Sequence, residues 1–256
     1  MSQDSMNQDS MNQDPIRFFG LGLGPGDPDY MTVRARKVLE KADRLVHFCK
    51  RGRRGNARTI ADAVVGANPK REIALVYPVT TEIPADHPDY ASALHPFYEE
   101  AAARLLGEVE AGHMVAVLCE GDPFFYGSFM HLWRRLKDRV PTEVVPAVSG
   151  MSGAWTRAGA PITWGDDVLT VVPATLPEAD LAGRLRQTDA AVIMKLGRHL
   201  PKVRAALRSA GLLDRAIYVE RATMAGERIV PLPELPQDEE APYFSLIIVP
   251  GGGRRV

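Results

Sequence analysis

Short apolar runs alternate with amphipathic stretches over the first half of the chain, and this alternation constrains the fold more than any other feature. The run at 114–118 contains only apolar residues, as is typical of a strand that is covered on both faces. The stretch 33–42 has its apolar residues at helical spacing, and Thr32 is expected to be its N-cap. Repeated strand and helix predict an α/β fold with a mostly parallel sheet.

The same pattern predicts the remaining elements of this half. The expected strands are 16–23, 44–48, 73–77, 114–118 and 143–145, and the expected helices are 33–42, 57–65, 90–110 and 124–136. After Pro146 the pattern is less regular, with strands expected at 168–172, 191–195, 216–220 and 244–249 and helices at 149–158, 181–186 and 202–210. We therefore predict two α/β domains, 16–147 and 148–256, the second with a mixed sheet.

The two ends of the chain differ from the rest. Residues 1–15 repeat a polar five-residue unit (MSQDS, MNQDS, MNQDP), which cannot bury enough apolar surface to order itself and is expected to be a disordered tail. The glycine-rich end, 251–255, is expected to be frayed.

Charge and cysteine content exclude several classes of function. The 31 basic and 32 acidic residues give a net charge of −1, so no overall field attracts nucleic acid or an anionic membrane. Cys49 and Cys119 are far apart and lack metal-ligand spacing, which argues against a disulfide framework and a bound metal and fits a reducing cytoplasm. No signal peptide or membrane span is indicated.

Two glycine-rich loops follow predicted strands. The first, GLGLGPGDPDYMT (20–32), and the second, CEGDPFFYGS (119–128), are both expected at the carboxyl edge of the sheet, where ligands of open α/β folds bind. Neither has the spacing of a dinucleotide site or of a phosphate-binding P-loop. Each could be only a tight turn, but two such loops at one edge favour a shared ligand crevice.

These loops and a third segment, Val-Val-Pro-Ala-Val-Ser-Gly (144–150), resemble in order and spacing the successive motifs of tetrapyrrole methyltransferases. The resemblance extends over 16–249 and includes 191–198 and 218–224. The strings GDPFFYGSFMHLWRRL (121–136), Tyr-Pro-Val-Thr (77–80) and Met-Lys-Leu-Gly-Arg (194–198) resemble the branch that methylates precorrin-2 at carbon 20. Two residues depart from the pattern: Ala147 replaces a common glycine and Val79 an expected methionine.

The resemblance implies a tetrapyrrole methylase fold, a homodimer, and S-adenosylmethionine as methyl donor in the cleft between the two domains. The residues that it assigns to the donor are Pro25, Gly121, Asp122, Phe125, Tyr126, Ser149, Gly150, Met194, Ala222 and Thr223. Two of them have simpler explanations, since Met194 could belong to the core and Ser149 could be only a helix N-cap.

The implied reaction is methylation of precorrin-2 at carbon 20, giving precorrin-3A in cobalamin biosynthesis. A base must remove a proton from that carbon, and the sequence does not single one out among Glu120, Asp122, Tyr126 and His131. Substrate carboxylates are expected to bind the basic cluster Lys50, Arg51, Arg53, Arg54 and Arg58, which could instead be a solvated loop. The alternatives left open are cobalt-factor II as substrate, methylation at a different precorrin position, methylation of ribosomal RNA or of a modified protein histidine, and a noncatalytic binding module.

Overall fold

The computed structural model describes residues 15–79 and 88–253, apart from the side chains of 88–91. The chain divides into two compact units. The first contains residues up to Leu23 and Met31–Ala147, and the second contains Gly24–Tyr30 and the chain from Val148 onwards. Apart from Pro15, the predicted disordered tail lies outside the described residues, and the division into domains 16–147 and 148–256 stays a prediction.

The first unit is built on a five-stranded sheet in which every neighbouring pair is parallel. Its strands are β1 (Phe18–Gly22), β2 (Arg44–Cys49), β3 (Glu72–Val76), β4 (Val115–Cys119) and β5 (Thr142–Val145), in the order β3-β2-β4-β1-β5. Strands β1 and β4 lie in the interior of the sheet and are buried along their whole length. The predicted parallel sheet is confirmed.

Helices cover both faces of this sheet. They are α1 (Val33–Lys41), α2 (Asn56–Val65), α3 (Pro88–Glu110) and α4 (Phe129–Leu136). Helices α1 and α2 share one apolar cluster with Phe19 and Leu118, whereas α3 and α4 share another with Phe18 and Val117. Successive residues of one strand therefore pack against the helices on opposite faces of the sheet. The predicted N-cap of α1 is confirmed, because the Ala35 N–H donates to Thr32 Oγ1 at 3.1 Å.

The strand order creates a switch point between β1 and β4. After β1 the chain crosses to β2 on one side, and after β4 it crosses back over β1 to β5 on the other side. The two loops that leave β1 and β4 therefore border the place where open α/β sheets commonly bind ligands.

The expectation that a helix begins at Phe124 is wrong. Helix α4 begins at Phe129, and residues 123–128 form turns. Tyr126 has φ +52°, a left-handed conformation that no α-helix accepts, so the chain makes a wider loop before the helix begins.

The second unit contains a mixed sheet, as predicted. Its strands are β6 (Leu169–Pro173), β7 (Ala190–Met194), β8 (Ile217–Glu220), β9 (Arg228–Pro231) and β10 (Ser245–Val249), in the order β6-β7-β10-β8-β9. Only β6 and β7 are parallel among these neighbouring pairs. Strand β9 was not predicted. Helix α5 (Gly150–Arg157) covers one face, and α6 (Glu178–Leu185) and α7 (Leu200–Ser209) cover the other.

The expectation of a frayed end is wrong for Gly251 and Gly253. The Gly251 N–H donates to the Ile162 carbonyl at 2.8 Å, and the Gly253 N–H to Asp167 Oδ2 at 3.4 Å. Cys49 and Cys119 are both free and buried. None of the helices in the described residues is long and apolar enough to cross a bilayer.

Candidate functional site

The second glycine loop, which follows β4, is organised by the side chain of Asp122. Its Oδ1 accepts the Phe124 N–H at 2.9 Å, and its Oδ2 accepts the Ala147 N–H at 3.2 Å. One carboxylate thus shapes the turn and fixes it to the segment after β5. Gly121 has φ +64°, a conformation that a residue with a side chain would adopt only with strain.

The end of β1 packs directly against this loop. A Cβ placed on Gly22 would lie 2.6 Å from the Ala147 Cβ and 2.9 Å from the Gly121 carbonyl oxygen. Glycine at this position therefore permits a backbone approach that alanine would prevent. The alanine at 147, where the resemblance leads one to expect glycine, is accommodated by the missing side chain of Gly22.

Two aromatic side chains follow in the same loop. Phe125 is half-buried and Tyr126 is 43% exposed, with 4.8 Å between their ring centroids. The left-handed backbone of Tyr126 is uncommon for an aromatic residue, and such conformations concentrate at functional sites. The exposed ring surface is suited to covering a flat aromatic group.

In the second unit, the segment Gly24–Tyr30 lies against the loop after β8. The Asp27 N–H donates to Thr223 Oγ1 at 3.2 Å. A Cβ on Gly153 of α5 would lie 2.8 Å from the Pro25 Cβ and 3.5 Å from the Thr223 Cγ2. The structure therefore brings Pro25 and Thr223 together over the first turn of α5.

An ion pair that sequence analysis missed holds the Thr223 backbone. Thr223 has φ +66°, and its N–H donates to Glu227 Oε2 at 2.7 Å. The same carboxylate accepts three hydrogen bonds from the Arg157 guanidinium at 2.7–3.0 Å, which lower the pKa of Glu227. The two residues are 70 positions apart, and no local pattern connects them.

A cavity of about 150 Å³ opens beside this network. It is lined by Asp27, Tyr30, Arg157, Thr223, Met224 and Glu227.

Ser149 forms the helix N-cap that its sequence position allowed. Its Oγ accepts the Ser152 N–H at 3.2 Å, and its carbonyl oxygen accepts the Gly153 N–H at 3.0 Å, so Ser149 is the N-cap of α5. Gly150 is the first residue of that helix, with open space where a side chain would stand. Met194 ends β7 and, like Ala222, is half-buried against the apolar cluster beneath α5.

The predicted donor residues are divided between the two units. Gly121, Asp122, Phe125 and Tyr126 lie in the first unit, and Pro25, Ser149, Gly150, Met194, Ala222 and Thr223 lie in the second. Within each unit the structure places its members on neighbouring segments, around the Gly22 end of β1 in the first unit and around α5 in the second.

Glu120 differs from Asp122 and His131 among the candidate bases. It follows β4 directly, its Oε1 accepts the Ala57 N–H at 2.9 Å, and burial raises its pKa to about 7. Asp122 already accepts two backbone amides. The ring of His131 stacks on Tyr98 with 4.3 Å between centroids, and burial lowers the pKa of His131.

The basic cluster after β2 contains two kinds of arginine. Arg58 is fully buried, with its Nη1 2.6 Å from Asp62 Oδ1 and its Nε 3.6 Å from Glu72 Oε2, so the expectation that it receives substrate is wrong. Arg54 pairs with the same two carboxylates. Arg51 and Arg53 are exposed, and neither forms an ion pair within the described residues.

No group of three or more His, Cys, Asp or Glu side chains that could hold a metal ion occurs within 15–79 and 88–253. The absence of a bound metal stays a prediction.

A family model and individual relatives all match this chain to the same protein family. The model of the Tetrapyrrole (Corrin/Porphyrin) Methylases matches residues 17–236. The chain is 51% identical to the Precorrin-2 C(20)-methyltransferase of Sinorhizobium sp., over 92% of this chain and 95% of that protein. It is 31% identical to the Cobalt-precorrin-2 C(20)-methyltransferase of Salmonella typhimurium, over 91% and 95% respectively.

A solved structure supports the same fold. The uroporphyrin-III C-methyl transferase from Thermus thermophilus, complexed with S-adenyl homocysteine, matches with a TM-score of 0.61 and 23% identity. The match covers 91% of this chain and 96% of that one.

Proposed function

This chain belongs to the tetrapyrrole methylase family, and we propose that it transfers a methyl group from S-adenosylmethionine to carbon 20 of precorrin-2, in cobalamin biosynthesis. The observation that carries the proposal is the identity with the Sinorhizobium enzyme over nearly the whole of both chains. The product is precorrin-3A.

The residues of the chain fit a donor of this kind. When bound, S-adenosylmethionine supplies an electrophilic methyl group on a sulfonium centre. Methyl transfer needs the two reactants to be held at near-attack distance, so the task of the protein is to position them and to exclude water. The glycines of the second loop allow close backbone approach, and Phe125 and Tyr126 present ring surface to a flat base.

We propose the ten residues of the resemblance as the donor site. Thr223 is held in its left-handed conformation by Glu227, and Pro25 packs on Gly153, so both backbones are fixed before any ligand binds. Such preorganisation lowers the entropy that binding must offset. The hydroxyl of Ser149 caps α5, so its contribution is proposed to be the orientation of the first turn of that helix.

Substrate carboxylates are proposed to bind Arg51 and Arg53. Arginine binds carboxylates through two parallel N–H donors, and these two side chains are exposed. Arg54 faces Asp62 and Glu72, so it is proposed to act by shaping the loop.

The arginine proposal is tested with the R51A/R53A double variant. The KM for the tetrapyrrole should rise about tenfold or more, while the Kd of S-adenosylhomocysteine stays unchanged. R139A removes an exposed arginine elsewhere in the same unit and is the matched control. Equal changes in both constants would contradict the assignment.

We propose the metal-free ring as the natural substrate, because identity is higher to the precorrin-2 enzyme than to the cobalt-precorrin-2 enzyme. Anaerobic competition between precorrin-2 and the cobalt-containing ring, read by product mass, tests this choice. Tight binding of donor and tetrapyrrole with no formation of S-adenosylhomocysteine would instead support a noncatalytic binding module.

We also propose a homodimer that acts in the cytoplasm and binds neither nucleic acid nor membrane. The two free, buried cysteines fit a reducing compartment, and the near-zero net charge gives no field for nucleic acid. Light scattering of the purified protein tests the dimer, since a mass near 28.1 kDa would identify a monomer.

A further inference from the structure

Glu120 lies beside two segments to which different reactants have been assigned. On one side it precedes Gly121 and the loop proposed for the methyl donor. On the other side its Oε1 accepts the Ala57 N–H, in the first turn of α2, directly after the loop of Arg51 and Arg53. Its carboxylate therefore lies between the proposed donor loop and the start of the helix that follows the proposed substrate loop.

Within 15–79 and 88–253 this carboxylate has no cationic partner. Burial raises the pKa of Glu120 to about 7, and the Ala57 N–H opposes this only in part. On its own segment the titratable groups are Cys119, whose thiol pKa burial raises, and Asp122. On the adjoining side, Arg54 and Arg58 pair with other carboxylates, and no ion pair to Glu120 occurs within the described residues. A carboxylate of this kind accepts a proton readily near neutral pH.

One oxygen of the Glu120 carboxylate, Oε2, is available to accept a proton. Oε1 is used by Ala57, whereas Oε2 accepts no hydrogen bond from the described residues. Two of the other candidate bases are engaged, since Asp122 accepts amides on both oxygens and the His131 ring stacks on Tyr98.

We propose that Glu120 is the base that removes the proton from carbon 20, an inference that rests on the proposed function. In the first step the carbon–methyl bond forms as the methyl–sulfur bond breaks, and the electron pair of the broken bond stays on sulfur. In the second step the hydrogen–carbon 20 bond breaks and the proton moves to Glu120 Oε2. The electron pair of that bond returns to the conjugated ring, which neutralises the positive charge left by methylation, and the proton then leaves to water.

The variant E120Q separates this role from helix capping. A glutamine keeps an oxygen that can accept the Ala57 N–H, so the cap of α2 survives, but it cannot take up a proton at neutral pH. E120A removes both functions. E100Q neutralises an exposed glutamate of α3 and is the matched control.

The expected result is a loss of rate without a loss of binding or stability. In anaerobic single-turnover reactions with precorrin-2, E120Q should be about 10²- to 10⁴-fold slower than wild type, with unchanged Tm and unchanged Kd for S-adenosylhomocysteine. The wild-type rate should rise with pH through about 7, because the base must be deprotonated, and E120Q should lose this rise. With precorrin-2 deuterated at carbon 20, the isotope effect should be larger in E120Q.

Three results would overturn the proposal. An E120Q rate within threefold of wild type would show that Glu120 is not the base. A slow E120Q with an equally lowered Tm or donor affinity assigns Glu120 to capping alone. An unaltered pH profile in E120Q assigns the titration to another group. Absence of turnover by the wild type with either tetrapyrrole is a different failure, because it refutes the proposed function itself.

Discussion

Replacing Gly22 by alanine tests how closely β1 approaches the second glycine loop. The new methyl carbon would lie 2.6 Å from the Ala147 Cβ and 2.9 Å from the Gly121 carbonyl oxygen. Carbon atoms ordinarily pack at about 3.5–4.0 Å, so the backbone segments must separate by about 1 Å. Such overpacking costs about 1–3 kcal/mol. For a chain of this size that cost lowers Tm by about 2–4 °C for each kcal/mol.

A double-mutant cycle with Ala147→Gly makes the test specific. A147G alone should cost little, whereas in G22A/A147G it removes the 2.6 Å contact and should restore part of the lost stability. The two changes should therefore be coupled by about 0.5–3 kcal/mol in urea unfolding. G107A, inside α3 with no atom within 4 Å of the added carbon, is the control and should be neutral or stabilising by about 0.5–1 kcal/mol. The close approach at Gly22 is refuted if G22A unfolds at the same urea concentration as the wild type. It is also refuted if the changes in unfolding free energy of G22A and A147G simply add in the double variant.

Three further predictions concern buried or positioning charges. Glu227→Ala should weaken S-adenosylhomocysteine binding in calorimetry, because the Thr223 N–H loses its acceptor, whereas the exposed Glu234→Ala should not. The folded-state pKa of Glu227 is lowered by Arg157, so its contribution to stability is present above about pH 4.3 and is lost as pH falls through the lowered value. The loss of Tm on acidification should therefore be smaller in E227Q, and an unchanged slope would contradict the pairing. Arg58→Ala removes a fully buried side chain and one of the two arginine partners of Asp62 and Glu72, so it should cost about 2–5 kcal/mol in urea unfolding, and a near-neutral result would refute its burial.

Most of the fold followed from hydrophobic periodicity, because strands buried on both faces and amphipathic helices have different repeats. The exceptions have local causes. Strand β9 (Arg228–Pro231) lies at the edge of its sheet and ends in proline, a residue that argues against a strand in a sequence pattern. The late start of α4 depends on the left-handed Tyr126, which a pattern of apolar residues does not reveal.

The candidate site was predictable where it depends on short motifs and not where it depends on distant partners. The glycine loops and the cap at Ser149 are local, so the sequence reveals them. The burial of Arg58 depends on Asp62 one turn away and on Glu72 of β3, so an arginine that looks solvated in the sequence is fully buried. The contact between Arg157 and Glu227 arises only when the chain folds. The sequence could not single out the catalytic base, because the Glu120 carboxylate contacts α2, a segment distant in the chain.

The most direct test of the central claim is an anaerobic assay of purified protein with methyl-labelled S-adenosylmethionine and enzymatically prepared precorrin-2. The product is analysed by mass and by NMR for the carbon that carries the label. One methyl group should be transferred, to carbon 20, together with formation of one equivalent of S-adenosylhomocysteine. Label at another carbon, or no transfer despite tight donor binding, would contradict it.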